Sequence, residues 1–581
     1  MTKNGSLLRK RAVAGIAALT LGASGLMMTA AQATDSPVTY GDIDKNATGT
    51  IRIHKTESGS LNPKGDSIRS TETGDGINGV TFKLYPIAAD LTTSAGWDTI
   101  SKVKSVPASV CDADGGAVFT NFPPESPLSQ KNAVSAITVT TQGQGIATAN
   151  TVPLGAYLVC EQKSDTATNE AGAPVSVVRK AAPFIVTVPH PQDVVAGNGK
   201  KTGWIYEVNV FPKNTVIEAP KKTSQNLKLG LQNTDGMQYT ISVKIPNLLK
   251  EQHFKHFVVI DQLPNELTDA KVTSVAITAK AGVPSALEQA DYVVPAQITG
   301  GFLTVNFTPA GLGKLKNAPN GTVTVTIKAK VNSLGNGKIE NTGYLVVDTT
   351  DTAPQATPAI PVQSGGAGNA PEYIVKKDDN PAIKVSNKTA STWGDIKIRK
   401  HDASDTNAGL EGAQFQVYDA DQAKCLEAFD NAKGKFTAEN LRVAKVGGPL
   451  AVGGDAEANK TFTTEKGGEV VIPGLFLATK DAASPGVAAD PAESRCYIVQ
   501  ETKAPAGYVL PTKEEDRTWA VKVTKGATQD KDLDIANTKV SVPDLPLTGA
   551  AGRVLLMAGG LALVLGSMGI AMVVRRRKEN A

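Results

Sequence analysis

The sequence predicts an all-β protein built from three tandem β-sandwich domains. Three observations predict it. Short segments alternate apolar and polar residues, as in Thr50-Ile51-Arg52-Ile53, Thr322-Val323-Thr324-Val325-Thr326-Ile327 and Trp519-Ala520-Val521-Lys522-Val523. Period two with Val, Ile and Thr marks half-buried strands. Fifty-five Gly and 33 Pro supply turns between them, and no long helical pattern appears outside the two ends. Finally, one set of sequence blocks occurs twice in the same order.

The elements follow from the N-terminus. Residues 1–33 form a signal peptide: Lys3, Arg9, Lys10 and Arg11 precede an apolar run from Ala12 to Ala30, and Ala31-Gln32-Ala33 offers a cleavage site after Ala33. Residues 34–214 form the first domain. Gly49 to Lys55, Ile77 to Tyr85 and Tyr157 to Glu161 are its repeat blocks. They match Gly394 to Lys400, Leu410 to Tyr418 and Tyr497 to Glu501 in the third domain, residues 393–541. The middle domain, 215–392, lacks the blocks and should be a different sandwich. Within it, Ala353 to Pro371 is rich in Pro, Gly and Ala and reads as a surface loop or linker. The four cysteines divide between the repeated domains, predicting Cys111–Cys160 and Cys425–Cys496 disulfides in an exported chain. Residues 542–581 hold Leu545-Pro546-Leu547-Thr548-Gly549, an apolar stretch over about 551–574, and the basic cluster 575–578. That stretch is long enough to cross a bilayer as a helix, and the cluster stops it on the cytoplasmic side.

Composition excludes several functions. The net charge of +4 is spread over 581 residues with both signs interleaved, so there is no nucleic-acid footprint. His253 and His256 lack partners at metal-ligand spacing, and Asp112-Ala113-Asp114-Gly115-Gly116 lacks the distal Glu of a calcium loop and reads as a turn. No metal or cofactor is expected. No Ser/His/Asp set and no phosphate loop occurs, so the chain is not expected to be an enzyme.

Leu-Pro-x-Thr-Gly, an apolar span and a basic tail, in that order, resemble a sortase sorting signal. Trp204 to Asn214, with Phe211-Pro212-Lys213, resembles the pilin motif. Together they resemble sortase-assembled major pilins of actinobacterial fimbriae, shaft subunits with immunoglobulin-like domains. The first and third domains here would be of the Cna-B type. The resemblance implies that sortase cuts after Thr548 and holds its acyl group as a thioester, which Lys213 of another subunit accepts. A thioester needs an uncharged amine, and a lysine in water is almost wholly protonated. Pro212 cannot donate to a ladder and ends its strand, leaving Lys213 at the domain boundary.

Domains of this family often carry an internal Lys–Asn amide promoted by an acid. In an apolar core a lysine loses its charge and a carboxyl keeps its proton, so the amine can attack the Asn carbonyl and ammonia leaves. Strand alternation puts Ile396, Ile398 and Lys400 on one face and Lys397 on the other. With Glu501 in the E-box-like Tyr497 to Tyr508 segment, this assigns Lys400–Asn537. In the middle domain Ile217, Ala219 and Lys221 share a face, favouring Lys221 over Lys222, with Asn341 as acceptor and Asp261 as acid. In the first domain Lys55 and Glu161 hold the same repeat positions and Asn214 is available, although shaft subunits of this kind often lack that bond.

The resemblance thus implies a structural subunit, joined head-to-tail to identical subunits, anchored to peptidoglycan on a Gram-positive surface and supporting adhesion. Pilus-type and housekeeping sortases, a tip pilin and a host or bacterial surface receptor are the implied partners. The competing reading is a monomeric wall-anchored adhesin.

Overall fold

The computed structural model describes residues 43–540, apart from 58–74, 113–117, 121, 123–127, 132–133, 163, 197–198, 232–235, 250, 281, 283–284, 296–300, 361, 364–370, 374–381, 432, 454–456 and 479–491. The signal peptide, the Leu545 to Gly549 pentapeptide, the expected membrane span and most of the Asp112 to Gly116 turn lie outside the described residues. Among the described residues no helix is long and apolar enough to cross a membrane.

In the first domain, strand β1 (Thr48–His54) buries Ile51 and Ile53 and turns Arg52 outward. The other sandwich face carries β2 (Thr81–Ile87), which buries Phe82 and Leu84. Strands β3 (Ile146–Pro153) and β4 (Gly155–Glu161) follow, then β5 (Val175–Arg179) and β6 (Phe184–Val188). Last come β7 (Glu207–Val210) and β8 (Lys213–Glu218). β1 lies between antiparallel β3 and parallel β7. β4 joins β2 to β6. β8 pairs with β5, so the first domain extends through Glu218 rather than ending at 214.

The middle domain packs one sheet, containing β9 (Lys221–Asn226), β10 (Met237–Lys244) and the later β14 (Thr322–Val331), against a second. β12 (Leu267–Thr278) flanks β14 in the first sheet. The second sheet holds β11 (His253–Gln262), β13 (Phe302–Phe307) and β15 (Lys338–Thr350). β14 buries every second residue from Val323 to Val331, as its alternation requires. The Pro/Gly/Ala-rich segment is not a plain linker. Pro358 accepts a hydrogen bond from Asn306, and Val362 packs with Val258, Ile260 and Val346 on the outer face of the second sheet.

The third domain repeats the first. β16 (Thr389–Asp402) lies between antiparallel β18 (Glu469–Leu477) and parallel β21 (Leu533–Asn537). β19 (Ser494–Lys503) joins β17 (Gln414–Ala420) to β20 (Thr518–Thr524). Each repeated domain also carries an insertion with short helices that strand alternation does not reveal: Ser94–Ser101 in the first, Gln422–Asn431 and Ala438–Ala444 in the third. Thr93 and Thr437 cap two of these helices by accepting backbone N–H bonds. The disulfides Cys111–Cys160 and Cys425–Cys496 tie the insertions to β4 and β19.

The two joints differ. β15 and β16 pair directly, Lys338 to Asn341 against Thr389 to Thr392, so the expected 392/393 boundary falls inside one strand. Trp393 is fully buried there and meets Phe476 edge-on. The first and middle domains are joined by Ile217 and Val178, which pack against the middle-domain core, and by ion pairs around them. Arg179 holds Asp351 through two bonds of 2.6 and 2.8 Å, and Lys244 bonds Glu218 at 2.9 Å.

Candidate functional site

The third domain brings its three predicted residues together. Lys400 enters the core from β16, Asn537 comes from parallel β21, and Glu501 comes from β19 on the opposing sheet. Lys400 Nζ lies 2.6 Å from Asn537 Oδ1 and 3.0 Å from Glu501 Oε2. Asn537 Nδ2 donates to Glu501 Oε1 at 2.9 Å, which closes the ring of contacts. Lys400 and Glu501 are wholly buried and Asn537 nearly so. Burial pulls the Lys400 ammonium down to about 8, although Glu501 raises it. Phe415 lies beneath the amine, 6.0 Å from ring centroid to Nζ.

The first domain repeats this arrangement atom for atom. Lys55 Nζ is 2.5 Å from Asn214 Oδ1 and 2.9 Å from Glu161 Oε2, and Asn214 Nδ2 donates to Glu161 Oε1 at 2.6 Å. Burial lowers the Lys55 pKa against the raising influence of Glu161, and Phe82 lies below the amine at 5.8 Å. The first domain thus holds its three candidate residues in the same arrangement as the third.

In the middle domain Lys221 is exposed, and Lys222 takes the buried place assigned to it. The alternation that favoured Lys221 was counted from Ile217 through Ala219. Ala219-Pro220 separates β8 from β9, and Pro220 cannot extend a ladder, so the parity restarts. Asn387 then fixes the new register by bonding both the N–H and the carbonyl of Lys222. Lys222 Nζ donates to Asp261 Oδ1 at 2.7 Å, and burial lowers its pKa. Asn341 is buried, and its amide makes no hydrogen bond of ordinary geometry, with the Tyr239 side chain as its polar neighbour. Such a buried amide is costly while unpaired.

Lys213 opens β8 beside Thr56, after Pro212 has separated β8 from β7. It is half-buried, and desolvation lowers its pKa. Sequence reasoning missed what holds the motif before it. His54 stacks on Phe211 with centroids 4.6 Å apart, and its Nε2 meets Asn209 Oδ1 at 2.8 Å. The signal was available in β1, where His54 immediately precedes Lys55. Thr548, the other end of the expected intersubunit bond, lies outside the described residues.

Comparison with known proteins places these features in context. Residues 36–215 match the N-terminal domain of Gram-positive pilin subunit D1, and residues 537–581 match the LPXTG cell wall anchor motif. The chain is 33% identical over 595 residues to fimbrial subunit type 2 of Actinomyces naeslundii, covering 100% of this chain and 99% of the relative. It is 27% identical over 604 residues to fimbrial subunit type 1 of Actinomyces viscosus, covering 98% and 99%. In fold it resembles the full-length major pilin SpaD from Corynebacterium diphtheriae, with a TM-score of 0.58 and 23% identity over 86% of this chain and 99% of that one.

Proposed function

The chain belongs to the fimbrial-subunit family of sortase-assembled Gram-positive major pilins, displayed as a cell-wall-anchored surface fimbrium, and from that premise we propose that Lys213 and Thr548 are the two ends of its intersubunit bond. Sortase cleaves Thr548–Gly549 and holds the Thr548 acyl group on its cysteine. The neutral Lys213 amine attacks the thioester, an amide forms, and the enzyme thiol is released. The observation that carries this is Lys213 itself. It begins a strand just after Pro212, half-buried, with its ammonium disfavoured by desolvation. A pilus-type sortase would supply the acyl group, and a housekeeping sortase would pass the finished polymer to peptidoglycan. A tip pilin and a surface receptor complete the adhesive role.

The test is boiling in SDS. The wild-type chain should give a high-mass ladder that Lys213→Ala abolishes while leaving wall-anchored monomer. A ladder that survives Lys213→Ala overturns the assignment. Wall-anchored monomer without any wild-type ladder would favour the monomeric adhesin.

We further infer three internal amides: Lys55–Asn214 with Glu161, Lys222–Asn341 with Asp261, and Lys400–Asn537 with Glu501. The buried, charge-disfavoured lysine at each site supports them. Each amide releases one ammonia, so the intact mass should fall by about 17 Da per bond. The chemistry is intramolecular and single-turnover, in keeping with a structural rather than enzymatic subunit.

A further inference from the structure

The three lysine sites are not built alike. In the first and third domains one glutamate holds both reacting groups: Oε2 takes the lysine amine and Oε1 takes the asparagine Nδ2. The middle site has the shorter Asp261. Its Oδ1 holds Lys222, but Oδ2 has no partner, and neither atom of the Asn341 amide makes a hydrogen bond of ordinary geometry. A fourth buried polar atom, the hydroxyl of Tyr239, makes no hydrogen bond of ordinary geometry but neighbours the Asn341 amide.

The register brings these groups together. On one sheet Lys222 pairs with Ile241, and Tyr239 is two residues along the same strand, on the same face. On the facing sheet Asp261 pairs with Gly343, two residues from Asn341. Gly343 lets the sheets close here: a Cβ at that position would meet Ile241 Cδ1 at 2.9 Å. Lys222 Nζ lies 5.1 Å from the Tyr239 ring centroid, where the repeated domains place Phe82 and Phe415. Only the middle site therefore carries a hydroxyl on the ring beneath its lysine.

We propose that Tyr239 is a catalytic residue of the middle-domain cross-link, its hydroxyl hydrogen-bonding the Asn341 Oδ1 oxyanion as Lys222 attacks. This rests on the reading that Lys222 and Asn341 form an amide. The neutral amine of Lys222 adds to Cγ of Asn341, and the carbonyl π pair moves to Oδ1. Tyr239 donates to that oxygen and keeps its proton. Asp261 takes the proton that the Lys222 ammonium gives up, passes it to Nδ2 and takes one back from the new Nζ cation. The carbonyl re-forms, the Cγ–Nδ2 bond breaks, and ammonia leaves. A preorganised donor aimed at developing charge in a dry site is an effective way to lower such a barrier. Burial pushes the phenol pKa up, the Asp261 charge adds to this, and the neighbouring Asn341 side chain only partly offsets it, so the hydroxyl remains a donor at neutral pH.

Tyr239→Phe removes one oxygen and keeps the ring under Lys222. The full chain is sampled at intervals after synthesis, digested, and the three cross-linked peptide pairs are quantified by mass spectrometry. The Lys222–Asn341 pair should form at least roughly ten-fold more slowly in Tyr239→Phe and reach the wild-type endpoint, with the other two pairs unchanged. An unchanged rate overturns the role of Tyr239. A lowered endpoint at unchanged rate is folding damage and also overturns it. A wild-type chain with no Lys222–Asn341 pair overturns the amide reading, and the role of Tyr239 with it.

Discussion

Lys213 and Asn214 are consecutive residues of β8 that face opposite ways. Lys213 is half-buried at the strand's start, while Asn214 is wholly buried and touches both Lys55 and Glu161. The strand's period of two points the two side chains to opposite faces, and only the Lys213 side of the strand's start is left partly open. The residue expected to join subunits is thus fixed in place by the residue expected to close its own domain.

That adjacency predicts a graded effect. Asn214→Ala should leave Lys213 competent but loosely held, so the SDS-resistant ladder should still form, several-fold more slowly. Densitometry of ladders over time checks this. Complete loss of the ladder in Asn214→Ala, equal to that in Lys213→Ala, would refute the separation of roles.

In the third domain, an amide between Lys400 and Asn537 closes a loop spanning 137 positions. Loop closure of that size restrains the unfolded chain by on the order of 5 kcal/mol. Asn537→Ala should lower the melting temperature of the third domain substantially in calorimetry and remove one deficit of about 17 Da between the intact mass and the mass of its own sequence. A shift in mass without a shift in melting would show that the tie contributes little.

The same variant leaves Lys400 as a buried, titratable amine. Its pKa in the fold, about 8, lies below its ordinary value of 10.5, so the unfolded chain binds more protons between these two values. Stability of Asn537→Ala should therefore rise as pH increases from about 8 towards 10.5, by up to a few kcal/mol. Urea unfolding across this window measures it. The cross-linked wild type, with no amine there, should lack this component.

Reducing agent should separate the two kinds of covalent tie. Opening Cys111–Cys160 and Cys425–Cys496 frees the helical insertions from β4 and β19. Melting should fall by an amount corresponding to roughly 2–4 kcal/mol per bridge, while the SDS ladder keeps its length because amides resist thiols. Shortening of the ladder in thiol would mean that subunits are joined through sulfur.

The ion pairs at the first joint make a further prediction. Exposed ion pairs are screened by salt, so the Arg179–Asp351 and Lys244–Glu218 contacts should weaken as ionic strength rises. Small-angle scattering should show a wider spread of first-to-middle domain angles in Arg179→Ala and in wild type at high salt. Identical profiles in all three conditions would place the rigidity of this joint elsewhere.

Much of this was legible in the sequence because the repeat carries its own register. Matching Lys55 to Lys400 and Glu161 to Glu501 put both pairs in their cores, and strand alternation separated Lys400 from Lys397. The same alternation failed at Lys221, because Pro220 resets the count between β8 and β9 and only the hydrogen bonds of Asn387 define the new register. Tyr239 was not legible either. Its importance lies in facing Asp261 and Asn341 across the sandwich, a relation between two sheets that no local spacing records. The short helices escaped because two or three turns inside an insertion give too little periodicity to stand out.

The pairing of β15 with β16 has a mechanical consequence. Amides at Lys222–Asn341 and Lys400–Asn537 would shield the chain inside each loop from tension. Between Asn341 and Lys400 runs the longest stretch that could still lengthen, containing most of β15 and nearly all of β16, Trp393 included. Sudden tugging would peel this seam first and release about 60 residues, roughly 200 Å of slack when fully drawn out. Trp393 and its sheet could re-zip when the load eased. The seam would then serve as a recoil spring, one per subunit, in a fibre otherwise unable to stretch.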